Sequence, residues 1–252
     1  MKSRDQTYIF GTHAVFEALT RAPETVQHVY FVGGREAEKI RTKVEELGVA
    51  FDRCDEDHLP RDVGKDSVHQ GVVARVSPNK ILKPYKPFIE GLTVTDTTAL
   101  VVLNELTVPH NVGAVIRDAA AFGISGVLIP EYRQAPVTGT VVKVSAGMAF
   151  AIPLVTIGNV NTTLRDLKER GFWIYGLAGD GDTSIPDEAF TKPSVFVLGN
   201  EGRGLREKTE EVCDFQLSIP IEKEVESLNV ASSSAVVFYA WKSYHTKKRG
   251  TV

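Results

Sequence analysis

The chain has 252 residues, of which 42% are hydrophobic and 24% are charged. This length and composition predict one large folded domain or two modest ones, with a substantial core and an ordinary charged surface. The formal net charge of −3 excludes the global basic excess of a non-specific nucleic-acid binder. Any nucleic-acid contact must therefore use local basic patches.

Cysteine usage and the apolar stretches indicate where the chain resides. Cys54 and Cys213 lie far apart and lack metal-ligand spacing, so we expect two reduced thiols and no metal. The N-terminal residues lack the apolar region of a signal peptide. The longest apolar stretch, residues 137–158, is interrupted by Lys143, two glycines and Pro153, which favours a core helix followed by a buried strand. We expect a cytoplasmic protein.

The first 76 residues alternate short helical and extended patterns. Apolar residues at helical spacing predict helices over residues 11–21 and 35–48, the second of which Gly48 ends. Apolar and β-branched runs predict strands over residues 26–32, 49–51 and 71–76. This pattern predicts a small N-terminal α/β domain over residues 1–77.

Residues 77–91 form a proline-rich segment in which Lys80, Lys83 and Lys86 interleave with three prolines. Such a composition makes regular structure unlikely and predicts a semi-extended linker over residues 78–94. The lysines could contact phosphate, although a solvated linker is the simpler interpretation.

The second predicted domain covers residues 95–252, where strands and helices alternate again. Its strands are unbroken apolar runs, which is typical of strands buried on both faces of a parallel sheet covered by helices. The predicted strands are 99–106, 126–130, 151–157, 172–178 and 194–200, and the predicted helices are 111–123, 160–171, 205–213 and 229–245. In an open parallel sheet, ligands bind at the carboxyl ends of the strands.

Three segments at or near such strand ends carry unusual residues: 104–117, 198–205 and 218–233. The second has glycines at 199, 202 and 204, which is neither the dinucleotide fingerprint nor a phosphate-binding P-loop. A nicotinamide dehydrogenase is therefore disfavoured. By itself this loop indicates a structural tight turn more than a ligand site.

Taken together, the three segments resemble the motifs of the SpoU branch of the SPOUT superfamily, which are S-adenosylmethionine-dependent RNA 2′-O-ribose methyltransferases. Motif one is PHNVGAVIR, with Asn111, Gly113, Ala114 and Arg117; motif two is LGNEGRGL; and motif three is IPIEKEVESLNV. The segments YIFGTHAVFEAL and HQGVVA are similar to the small RNA-binding domain of the members that methylate a guanosine ribose in large-subunit rRNA. The chain departs from the usual motifs at Val108, Met148 and Ala231.

The resemblance implies an α/β fold with a C-terminal parallel-sheet SPOUT domain that ends in a trefoil knot, and a small N-terminal L30e-like RNA-binding domain. It implies S-adenosyl-L-methionine as methyl donor, 23S rRNA as the RNA partner and a homodimer, with no membrane or DNA partner. Two alternatives stay open: a tRNA ribose 2′-O-methyltransferase, and a non-catalytic RNA-binding factor of ribosome assembly.

The resemblance also assigns the donor pocket to motifs two and three. Gly199, Ile219 and Leu228 would hold the adenosine, and Gly202 and Gly204 would permit its close approach. Plain core packing is the alternative for Ile219 and Leu228.

Arg117 is the first candidate for the catalytic residue, with Asn111, Glu201, Ser227 and Asn229 ordering it and the ribose. The family proposal makes this arginine a general base, but a guanidinium stays protonated in proteins. We therefore expect Arg117 to clamp the substrate phosphate and stabilise the developing alkoxide. The alternatives are a surface salt bridge between Arg117 and Asp118 or a neighbouring residue, and for Glu201 a charge at a helix N-terminus.

Three further assignments follow from the sequence and the resemblance. His110 has a suitable titration range for a base, but the matching family position has no catalytic role, so we place it in the turn. Basic residues predicted to meet RNA around the site are Arg133, Lys143, Arg203 and Arg206. The last helix has an apolar face of Val236, Val237, Tyr239 and Ala240 that fits either a dimer contact or packing on its own sheet.

Overall fold

The computed structural model describes residues 6–32, 38–55, 58–59, 63 and 69–249. Within them the chain divides into two compact units, Met1–Leu82 with Pro136–Ala151, and Lys83–Ala135 with Ile152–Val252. The strands are β1 (Thr7–Phe10), β2 (Val26–Phe31), β3 (Phe51–Arg53), β4 (Val72–Val76), β5 (Leu82–Pro84), β6 (Ala99–Leu103), β7 (Gly126–Pro130), β8 (Leu154–Ile157), β9 (Trp173–Leu177), β10 (Thr183–Ser184), β11 (Ser194–Leu198) and β12 (Phe215–Ser218). The helices are α1 (Thr12–Arg21), α2 (Glu38–Leu47), α3 (Pro78–Ile81), α4 (Tyr85–Gly91), α5 (Pro109–Phe122), α6 (Gly139–Val144), α7 (Val160–Glu169), α8 (Glu207–Glu210) and α9 (Val230–Arg249).

The first unit is built on a four-stranded sheet with the order β1-β4-β2-β3. Strand β4 runs antiparallel to β1 and β2, and β2 runs parallel to β3. The predicted first helix is confirmed as α1, and its apolar stripe is buried as the spacing requires. The predicted second helix is confirmed from Glu38 onward, while its first three residues lie outside the described residues. Strand β1 was not predicted.

The second unit is built on an eight-stranded sheet with the order β10-β12-β9-β11-β6-β7-β8-β5. The pairs from β10 through β8 are all parallel. Every residue of β6, β7 and β11 is buried, as expected for central strands covered on both faces. The predicted parallel sheet is confirmed, and β12, which the sequence pattern missed, brings motif three beside β9.

The predicted irregular linker is wrong, because residues 78–91 form α3, β5 and α4. Helix α4 carries apolar side chains at helical spacing: Ile89 is buried, and Tyr85, Phe88 and Leu92 pack against the same core. Pro87 lies in the first turn of α4, where its missing N–H has no intrahelical partner to lose. Amphipathic spacing therefore outweighs the proline content here.

Two helix predictions need correction. The helix predicted over 205–213 is only the four-residue α8. The apolar face proposed for the last helix is divided: Val237 is buried, whereas Val236 and Tyr239 are 39% and 62% exposed.

Among the described helices, none combines the length and apolarity needed to cross a membrane. No group of three or more His, Cys, Asp or Glu side chains in the described ranges could hold a metal ion.

Candidate functional site

A pocket of about 290 Å³ lies in the second unit at the carboxyl ends of β9, β11 and β12. These strands are neighbours in the sheet, so the loops that follow them meet at one edge. The residues that line the pocket are Leu177, Ala178 and Gly179 after β9; Leu198, Gly199, Asn200, Glu201, Gly202 and Gly204 after β11; and Leu217, Ile219, Ile221, Glu226, Ser227, Leu228, Val230 and Ser233 from β12 to α9. All five predicted donor-binding residues are among them.

The glycine-rich loop is a closed turn. Asn200 and Gly204 exchange two backbone hydrogen bonds of 2.9 Å, and the Asn200 side-chain oxygen accepts from the N–H of Gly202 at 3.1 Å. A Cβ on Gly199 would lie 2.4 Å from the carbonyl carbon of Gly204, so this position has no room for a side chain. A Cβ on Gly202 would meet nothing closer than 3.8 Å. Gly199 is thus required by the turn, whereas Gly202 leaves open space beside the pocket.

The apolar residues that motif three contributes to the pocket are partly open to solvent. Ile221 and Leu228 are 38% and 37% exposed, and Ile219 is half-buried. Core packing, the alternative weighed for Leu228, does not describe a side chain that is one-third exposed. Apolar surface that lines a concave site favours a flat, apolar ligand group.

The Glu201 carboxylate joins the glycine-rich loop to the start of α5. It accepts hydrogen bonds from the Asn111 side chain at 3.1 Å and from the backbone N–H groups of Val108 and Thr107 at 3.3 and 3.4 Å. Partial burial raises the pKa of Glu201, but these hydrogen bonds, with that of Asn111 first, lower it below its ordinary value of 4.5. Glu201 therefore stays ionised at neutral pH.

Asn229 extends this network to α9. Its Nδ2 donates to Asn111 Oδ1 at 3.1 Å, and its Oδ1 accepts from the N–H of Ala231 at 2.9 Å, which caps the helix. The three polar residues from three distant motifs thus form one hydrogen-bonded chain. The alternative role considered for Glu201, a negative charge at a helix N-terminus, agrees with these contacts. The helix concerned is α5, and not α8, which follows Glu201 in the sequence.

Arg117 lies on the exposed surface of α5, six residues after Asn111. Asp118, the alternative partner considered for Arg117, accepts a hydrogen bond from the Ser234 hydroxyl at 3.1 Å. Burial raises the pKa of Asp118, and Ser234 and Arg117 only partly offset that effect. Within the described part of the chain, Arg117 does not line the pocket. Arg117 is therefore an exposed residue of α5 that lies outside the pocket lining.

The predicted basic residues differ in their surroundings. Arg133 and Arg206 both pair with Glu105, and Arg203 is exposed on the glycine-rich turn. Lys143 belongs to the first unit, where its ammonium lies 5.0 Å from the centre of the Phe10 ring, and it does not line the pocket.

Sequence reasoning missed several contributors to this site. Asn200 closes the glycine-rich turn and also donates to the Glu105 carbonyl at 2.9 Å. Ala178 and Gly179 follow the buried strand β9, and that position was the available signal for them. Ile221 lies within motif three but was not selected.

Two family models and several curated relatives match the chain. Residues 98–239 match the SpoU rRNA Methylase family, and residues 8–82 match the family described as RNA 2′-O ribose methyltransferase substrate binding. The chain is 34% identical to the 23S rRNA (guanosine-2′-O-)-methyltransferase RlmB of Nitrosomonas europaea, over 97% of this chain and 94% of that protein. It is 35% identical to RlmB of Escherichia coli, over 92% and 96% of the two chains.

Solved structures show the same fold at lower identity. The SpoU methyltransferase AviRb from Streptomyces viridochromogenes, in complex with the cofactor AdoMet, has a TM-score of 0.80 and 20% identity, with 96% of this chain and 92% of that chain covered. An AdoMet-bound rRNA methyltransferase from Sinorhizobium meliloti has a TM-score of 0.79 and 21% identity, with 95% and 88% covered.

Proposed function

Since the chain belongs to the SpoU rRNA methylase family, we propose that it transfers the methyl group of S-adenosylmethionine to the ribose 2′-hydroxyl of a guanosine in 23S rRNA. The observation that carries this proposal is a pocket lined by motifs two and three, to which motif one is joined by hydrogen bonds of Asn111 with Glu201 and Asn229. RlmB proteins that share about a third of their residues with this chain bear that activity in their names.

The pocket residues suit the methyl donor. The open apolar surfaces of Ile221 and Leu228 match the faces of an adenine ring, and the backbone of the Gly199–Gly204 turn offers N–H and C=O groups to its edge and ribose. The Glu226 and Glu201 side chains also line the pocket, and such carboxylates would attract a donor that carries a cationic sulfonium and an ammonium group. When bound, the donor supplies an already activated methyl group, so the reaction needs no metal.

The protein then has to position the ribose and handle one proton. We assign Arg117 to a clamp on the phosphate beside the target ribose and to stabilising charge that develops on the 2′-oxygen. Asn111, Ser227 and Asn229 would orient the ribose and hold the loops together, and Glu201 would maintain the network. The proton would leave through the phosphate or water, because a guanidinium does not give up its own.

Several finer features belong to the same proposal. The match of residues 98–239 to the SpoU rRNA Methylase family is the basis for including a C-terminal trefoil knot. The match of residues 8–82 to a substrate-binding family supports an L30e-like RNA-binding domain over residues 1–77 and a methyltransferase domain over 95–252. The exposed Val236 and Tyr239 of α9 support a homodimer contact. A cytoplasmic location follows from rRNA as substrate.

The substrate is tested by mapping 2′-O-methylated nucleotides in rRNA and tRNA from cells with and without the protein. We expect one guanosine of 23S rRNA to lose its methyl group, and the wild-type gene to restore it. If only a tRNA nucleotide loses its 2′-O-methyl group, the substrate is tRNA and not 23S rRNA.

The role of Arg117 is tested with purified protein. Arg117→Lys should abolish most methyl transfer while calorimetry shows unchanged donor binding, since the pocket does not include Arg117. Arg165→Lys, which changes an exposed arginine on α7, is the matched control. Normal turnover in Arg117→Lys would dispose of the clamp, and absence of donor binding by the wild type would favour the non-catalytic assembly factor.

A further inference from the structure

Two non-glycine residues beside the pocket adopt left-handed backbone conformations and face each other. Glu105, after β6, has φ 65°, and Arg133, after β7, has φ 57°. This conformation costs about 1–2 kcal/mol for a residue with a side chain and persists only where the surroundings enforce it. Arg133 Nη1 lies 3.6 Å from Glu105 Oε1, so the two strained residues form an ion pair.

Glu105 also holds a second arginine. Arg206 Nη2 lies 2.8 and 3.0 Å from the two carboxylate oxygens of Glu105. The Glu105 side chain is only 17% exposed, whereas those of Arg133 and Arg206 are 66% and 53% exposed. One sheltered carboxylate therefore keeps two guanidinium groups near each other, with one net positive charge and with donors still facing solvent.

Hydrogen bonds connect the group formed by Glu105, Arg133 and Arg206 to the rim of the pocket. Asn200, which lines the pocket, donates to the Glu105 carbonyl at 2.9 Å. The Gln134 side chain accepts from the Leu106 N–H at 2.9 Å, and the Ala135 N–H donates to the Leu106 carbonyl at 2.8 Å. The turn after β7 is thus tied to motif one and through it to the glycine-rich loop.

Tyr132, next to Arg133, exposes 74% of its surface, the largest exposed fraction of the exposed large hydrophobic residues in the described chain. The exposed acidic residues Glu131 and Glu207 are the sequence neighbours of Tyr132 and Arg206, so the group is not part of a broad basic surface. An exposed aromatic residue adjacent in sequence to Arg133, which shares Glu105 with Arg206, matches the chemistry of an unpaired nucleotide, which has a stacking face and a phosphate.

We propose that Tyr132, Arg133 and Arg206 bind one unpaired nucleotide that neighbours the methylated one in the RNA. Its base stacks on Tyr132, and its phosphate lies between the two guanidinium groups. Glu105 is a positioning residue that acts through both arginines. This inference rests on the proposed function, because it assigns the group to the RNA substrate of the same site.

Stacking is tested by steady-state kinetics with an RNA fragment that the wild type methylates. Tyr132→Ala should raise KM for RNA about 5- to 150-fold, the range for loss of one base–aromatic stack, with the donor Kd unchanged. Tyr132→Phe keeps the ring and should return KM to near the wild-type value. An unchanged KM in Tyr132→Ala would overturn the stacking assignment.

The phosphate contact is tested by salt dependence. Arg206→Gln should weaken RNA binding and reduce the slope of log K against log salt by about 0.7, the value for one phosphate of a single strand. Arg165→Gln should leave both unchanged. In the Glu105→Gln background the effect of Arg206→Gln should shrink, because its partner no longer holds the guanidinium in place; strictly additive effects would show that Glu105 does not act through Arg206.

Methylation by the wild type distinguishes failure of the proposed function from failure of the nucleotide site alone. If the wild type does not methylate RNA, the proposed function fails. If it methylates RNA and the Tyr132 and Arg206 variants have wild-type KM values and salt slopes, only the nucleotide site fails, and the group would be a surface for another partner.

Discussion

Replacing Glu201 by glutamine removes the negative charge from the network while keeping the size of the side chain. The carboxylate accepts from Asn111 and from two backbone N–H groups at the start of α5, and the amide can offer only one oxygen to these donors. Hydrogen bonds to a charged acceptor contribute about 1.5–3 kcal/mol each when well formed, but those here are long, 3.1–3.4 Å, and partly solvated. We expect a loss of about 1–3 kcal/mol in the free energy of unfolding at pH 7.

The pH dependence gives this prediction a sign. Since the folded-state pKa of Glu201 lies below its ordinary value of 4.5, the ionised form is favoured by folding. The advantage of the wild type over Glu201→Gln is therefore fully present above pH 4.5 and is lost as the pH falls through the lowered folded-state pKa.

Urea denaturation of both proteins between pH 7 and pH 3 measures this difference, and Glu169→Gln, at an exposed carboxylate of α7, is the control. The control should change stability by less than about 0.5 kcal/mol. A Glu201→Gln protein as stable as the wild type at pH 7, or a difference that grows below pH 4.5, would refute the assigned role of the carboxylate.

Three further predictions concern single side chains. Gly199→Ala should weaken donor binding at least tenfold and lower Tm, because its Cβ would collide with the backbone of Gly204. Gly202→Ala should leave Tm unchanged. Calorimetry measures donor binding and thermal denaturation measures Tm, and equal behaviour of the two variants would contradict the steric argument. Leu228→Ala should weaken donor binding about 3- to 10-fold with little change in Tm, because the side chain is 37% exposed; a large loss of Tm with normal binding would restore the core-packing alternative. Burial raises the pKa of the Cys213 thiol to about 12, so alkylation at pH 8 followed by mass spectrometry should modify Cys54 at least tenfold faster; equal rates would show that Cys213 is accessible and ionised.

The sequence succeeded where the signal was local. Unbroken apolar runs predicted the buried strands β6, β7 and β11, and helical spacing predicted α1, α5 and α7. Gly123, proposed as the end of α5, has the left-handed conformation that ends a helix, and its N–H bonds back to Ala119 and Ala120. The candidate donor-binding residues were selected through the family resemblance, because a loop with three spaced glycines is ambiguous by itself.

The errors arose where local composition conflicts with packing. Prolines and lysines suggested an irregular linker over residues 78–91, although Tyr85, Phe88 and Ile89 had the spacing of a buried helix face. The last helix was given one apolar face, but Val237 packs into the core while Tyr239 does not. In both segments the missing information was which neighbouring element would cover the apolar side chains.

The sequence alone determined the class of the fold and the places where chemistry could occur, because hydrophobic periodicity and strand-end loops are properties of short segments. The tertiary structure decided which segments meet. The strand order places the ends of β9, β11 and β12 together, and Glu201 reaches the start of α5 across 93 residues from Val108. Strand order depends on packing between distant parts of the chain, and no pattern within one segment encodes the partner that a polar side chain will find.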